Sequence, residues 1–97
     1  MARDEDNAAA EADLARLVRR LRSFSRRRWS QGDVEDRVRA LAEALVVIGG
    51  EGHRLPEDLP THALVDVVAV VGHDALQTEG AAPAVRALLL DALEATR

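Results

Sequence analysis

Two valine-rich apolar stretches, residues 45–48 and 64–71, are joined by a link that carries Gly49, Gly50, Gly52, Pro56 and Pro60. That link decides the fold class. Valine favours sheets, so both stretches could be strands. Parallel strands need a crossover of a dozen or more residues, usually a helix, and no helix fits in a segment broken by three glycines and two prolines. An antiparallel pair alone makes a marginal sheet, and no third strand is readable elsewhere. The chain is therefore expected to be all-α.

The apolar spacing then predicts four helices. Leu14, Leu17, Val18 and Leu21 recur at i, i+3, i+4 and i+7, and the alanines before them extend a helix over about residues 8–22. Continuing that period would put Arg28 on the apolar face, so the helix is expected to bend or stop, leaving 23–32 as a connector. Val34, Val38, Leu41, Leu45 and Ile48 form the stripe of a second helix over 33–48, with Ser30 or Asp33 as cap and the glycine pair as stop. A loop follows, with a short turn after Pro56. Pro60 and Thr61 start a third helix over 61–77, in which Gly72 is a weak point. Gly80 and Pro83 precede a fourth over 83–96. The expectation is a small four-helix bundle-like domain over residues 8–97 behind a disordered acidic N-terminus, residues 1–7.

Stepping 100° per residue along the third helix spreads Leu64, Val65, Val67, Val68, Val71, Ala75 and Leu76 over more than about 200°, far wider than an ordinary surface helix. It must be central, or be covered by a second copy of the chain. A chain of 97 residues buries only about 60–65% of its unfolded surface, so help from a partner is plausible. Without cysteine, neither disulfides nor a thiolate metal site can supply that help. No apolar run approaches the roughly 20 residues of a membrane span, so no membrane partner is expected. Acids follow Met1 where a secretory leader would be basic and then apolar, which makes the cytoplasm the expected compartment.

Charge is unevenly placed. All thirteen basic residues are arginine. Residues 1–15 hold five acids against one arginine, residues 16–28 hold seven arginines and no acid, and residues 29–97 hold twelve acids against five arginines. Phe24 and Trp29, the only aromatics, sit within or beside the basic run, where each is expected to fill a gap in the core or, alternatively, to anchor a partner. Arginine binds phosphate and carboxylate in a bidentate manner, aromatics stack on bases, and Trp with Arg is enriched at binding hot spots. The run therefore suits either an acidic protein surface or nucleic acid. Net acidity, at −4, and the absence of a nucleic-acid-binding motif favour the protein.

Chemistry-bearing constellations are sparse. His62, Asp66, His73 and Gln77 share the narrow polar stripe of the third helix, but the two histidines lie eleven residues apart, roughly 16 Å along a helix, too far to ligate one ion. His62 and Asp66 could meet and would need His53 or another chain to complete a site. The Gly49–Gly50–Glu51–Gly52 run lacks the Lys-Ser or Lys-Thr of a phosphate loop. The chain is expected to be a non-enzymatic interaction module without catalytic residues, metal or cofactor, docking on another protein or a second copy of itself. Recognition is assigned to Arg26, Arg27, Arg28, Trp29 and Phe24, with Val67, Val68 and Val71 as apolar interface or core. The alternatives are a nucleic-acid binder using residues 16–28 and a metal-dependent enzyme around His62 and Asp66.

Overall fold

The computed structural model describes residues 2–50, 55–56 and 58–97. Five helices follow in order: α1 (Ala2–Arg22), α2 (Arg26–Trp29), α3 (Val34–Gly49), α4 (Thr61–Leu76) and α5 (Ala82–Ala95). There is no strand among the described residues, and no helix is long and apolar enough to cross a membrane. The four long helices are those expected from the apolar spacing.

Two boundaries differ from the sequence reading. Residues 2–7 of the expected acidic tail fall within α1, which the run of alanines after them favours. The connector contains a single helical turn, α2, whose entry is held by the Ser25 hydroxyl accepting from the Arg28 amide at 3.1 Å. As expected, α1 stops at Arg22 and α3 stops at the glycine pair. Gly50 takes φ = 70°, a left-handed conformation that favours glycine, and donates its amide to the Val47 carbonyl.

Contacts along the helices give their directions. Thr61 meets Glu35 near the start of α3, and Thr78 meets the Ile48 carbonyl near its end, so α3 and α4 run parallel. Asp13 meets Arg86, and Arg20 meets Leu93, so α1 and α5 are parallel too. Arg22 pairs with Asp66 and Leu14 lies on Gly72, which makes α1 antiparallel to α4. The result is an up-down-down-up bundle. The connection between the parallel neighbours α3 and α4, residues 50–60, must return along the length of α3, a distance of roughly 24 Å for sixteen residues. Arg39 donates to the Pro56 and Leu59 carbonyls, fixing the described part of that connection on the bundle, and Leu55 and Leu59 pack on the core. The Leu59 amide bonds to the Pro56 carbonyl, which is the expected turn after Pro56.

The core is aliphatic. Leu17, Leu21, Leu45, Leu64, Val68, Val85 and Leu89 are its largest fully buried side chains. Fully buried Val68 cannot touch a partner and takes the core role of the two assigned to it. Much of the broad apolar arc of α4 is met within the chain, by α3, α1 and α5; Val67 and Val71 are half-buried against the core. Val70 stays exposed. Of the four seams around the bundle, α3–α4, α1–α5 and α1–α4 are closely packed, and α3–α5 is the loosest.

Candidate interaction surface

Because both pairs are parallel, the C-termini of α1 and α5 share one end of the bundle with the N-termini of α3 and α4. The last carbonyls of a helix have no partner within it, and arginines nearby can satisfy them. The basic run lies at this end. Arg20 donates to the Leu93 carbonyl at 2.6 Å, and Arg28 donates to the Arg97 carbonyl at 2.9 Å while its guanidinium stands 4.9 Å from the Phe24 ring centroid. Arg22 pairs with Asp66 at 2.8 Å. These three arginines serve the fold.

The other four differ. Arg16, Arg19, Arg26 and Arg27 are exposed, and none makes an ion pair or side-chain hydrogen bond among the described residues. Arg16 and Arg19 lie on the outward face of α1, and Arg26 and Arg27 lie on α2 just beyond its end.

Phe24 and Trp29 meet edge to face, with ring centroids 5.5 Å apart and planes at 68°. Both pack on the core with one part exposed. They form the shared wall of two open clefts of about 460 and 400 Å³, and His62 at the start of α4 stands in the wall of both. Arg26 borders the first cleft together with Glu35, whose carboxylate accepts from the Thr61 hydroxyl at 2.7 Å. Leu21 and Val65 line the second, with Arg22 beside them. The surface therefore offers apolar and aromatic area bordered by the unpaired Arg26 guanidinium and by the Arg22–Asp66 ion pair.

Most of the residues singled out by sequence come together here: Phe24, Trp29, Arg26, Arg27 and Arg28 belong to one end of the bundle. Val67 and Val71 do not join them, lying instead on the side of α4 toward α3. Sequence reasoning missed His62 as a cleft wall, since its helical period relates it to Asp66 and not to an aromatic more than thirty positions earlier. The His62–Asp66 pairing is not formed; the Asp66 carboxylate is taken by Arg22. His73 lies 3.9 Å from Glu11 on the far side of the α1–α4 seam. His53 falls outside the described residues. Among the described residues no group of three or more His, Cys, Asp or Glu side chains is placed to hold a metal ion.

Comparison with protein families, with curated proteins and with solved structures found no match to this chain.

Proposed function

We propose that this chain is a protein-docking module whose basic end receives an acidic segment of another protein. The observation that carries the reading is the division of labour in the arginine run: Arg20, Arg22 and Arg28 are used by the fold, whereas Arg26 stands unpaired at the rim of an aromatic cleft with Arg27 next to it in α2, and Arg16 and Arg19 are unpaired on the outward face of α1. An acidic segment with a large apolar side chain fits both features, the side chain against Phe24 and Trp29 and the carboxylates on Arg26 and Arg27. Trp and Arg at the centre of such a contact are the residue types that dominate binding energy. A nucleic-acid backbone fits less well. Asp33, Asp36 and Glu94 share this end and would face a continuous line of phosphates, and the chain is acidic as a whole.

Trp29 is the single tryptophan and there is no tyrosine, so intrinsic fluorescence reports on the cleft alone. Titration with a peptide alternating glutamate and phenylalanine should shift Trp29 emission saturably. The lysine–phenylalanine counterpart should leave it unchanged. Arg26→Glu with Arg27→Glu should weaken the acidic peptide by about tenfold or more. Tighter binding of oligo-dT than of the acidic peptide, with steep salt dependence, would replace this reading by the nucleic-acid one. No response to either probe would remove it.

A further inference from the structure

A four-helix bundle has four seams, and in this one the α3–α5 seam is the loosest. Along it runs an apolar groove of about 220 Å³, walled by Val38 and Leu41 on α3 and by Leu88, Ala92 and Ala95 on α5. Small residues widen the surface on both banks: Ala40 on α3 and Ala84 and Ala87 on α5 are exposed. Beyond them Val47 is 77% exposed, the most exposed large apolar side chain described. Two charges stand at the groove itself, Arg37 on the α3 bank and Asp91 on the α5 bank. Asp36 and Glu43 bound the patch along the outer edge of α3. The outward faces of α1 and α4 carry charged and polar side chains instead, among them Arg16, Arg19, Asp66, His73 and Gln77.

We propose that a second copy of this chain covers the α3–α5 face, forming a two-fold symmetric dimer in which α3 of each copy lies on α5 of the other. The charges argue for a second copy over an unrelated helix. A two-fold interface presents the same patch twice, so a patch that carries one cation and one anion on opposite banks is its own complement. With α3 antiparallel to α5, Arg37 and Asp91 lie within about a turn of each other along the groove, and rotation about an axis along the groove brings Arg37 of each copy to Asp91 of the other. The two already feel one another within a chain: Arg37 is held above its ordinary value chiefly by its hydrogen bond to Asp33 and the charge of Asp33, with a smaller contribution from Asp91. The available face also has the right size. Two helices of 16 and 14 residues, about 21–24 Å long and about 10 Å apart, expose on the order of 600 Å² per copy, at the lower bound of stable complexes. An interface of this size belongs with the smaller specific complexes.

Sedimentation of the whole chain across low to high micromolar concentration tests this. The expected result is a mass that rises from 10.5 kDa toward twice that value. A constant 10.5 kDa at every concentration would overturn it. Arg37→Asp and Asp91→Arg should each weaken the dimer by about tenfold or more, since each places like charges opposite one another twice. Mixing the two variants should restore a dimer, because each then supplies what the other lacks. Absence of recovery on mixing, with both variants shown to be folded by helicity and melting, would overturn the proposed pairing. Leu88→Glu, in the groove wall, should hold the chain as a monomer while its helicity is retained.

Discussion

Gly72 reads in the sequence as a flaw in an otherwise strong helix, and the structure shows why it is there. A Cβ built on Gly72 would come within 2.7 and 2.9 Å of the two terminal methyls of Leu14. The glycine lets α1 approach α4 closely, and Leu14 occupies the space that a side chain would take. Two effects compete in Gly72→Ala: helix propensity gains about 1 kcal/mol, and forcing Leu14 out of its place costs about 1–3 kcal/mol. The expected outcome is a destabilisation of about 1 kcal/mol in chemical denaturation. In a Leu14→Ala background the clash is gone, so the same change should stabilise by about 1 kcal/mol. The same sign in both backgrounds would show that the Leu14–Gly72 contact does not decide the matter. Nothing in the period of α4 distinguishes this glycine from a weak point, because its reason lies on another helix.

At the level of elements, one run of seven arginines divides into those that meet the end of α5 or Asp66 on α4 and those that meet neither. The sequence shows the run, its lack of acids and its two aromatics. It does not show that Arg20 and Arg28 are spent on backbone carbonyls at the end of the chain's last helix, since that depends on α1 and α5 lying side by side. Arg20→Met should therefore cost about 1–3 kcal/mol, the usual worth of a hydrogen bond from a charged group that is partly buried. Arg26→Ala and Arg27→Ala should stay within about 0.5 kcal/mol of the parent, as surface changes do. Urea melts of the three variants check this. Equal effects at all three positions would contradict the division on which the docking surface rests. The helices themselves were legible because their apolar residues repeat at 3.6, and the early start of α1 was missed because residues 2–7 carry no apolar stripe to read.

For the whole molecule, the parallel pairing of α3 with α4 is the feature that spacing alone could not supply: periodicity gives a helix its buried face but says nothing of the direction of its neighbour. The glycine- and proline-rich link that excluded a sheet has a positive role here, because a chain that returns along the whole of α3 cannot be helical and cannot be short. Removing residues 51–56 would leave five residues with a reach of about 17–18 Å, less than the roughly 24 Å to be crossed. That variant should lose its cooperative thermal transition or exchange α4 between two copies. Retention of a parent-like melt with no exchange of α4 between copies would contradict the parallel arrangement. The other parallel pair has its own consequence, for the route by which the molecule forms. Asp13 to Arg86 and Arg20 to Leu93 each join positions 73 apart in the chain, so the seam between the first helix and the last is made of contacts as distant in sequence as those of many β proteins. Folding rates fall as such contacts come to dominate, and during synthesis α1 must wait, its apolar stripe uncovered on that side, until α5 has emerged from the ribosome.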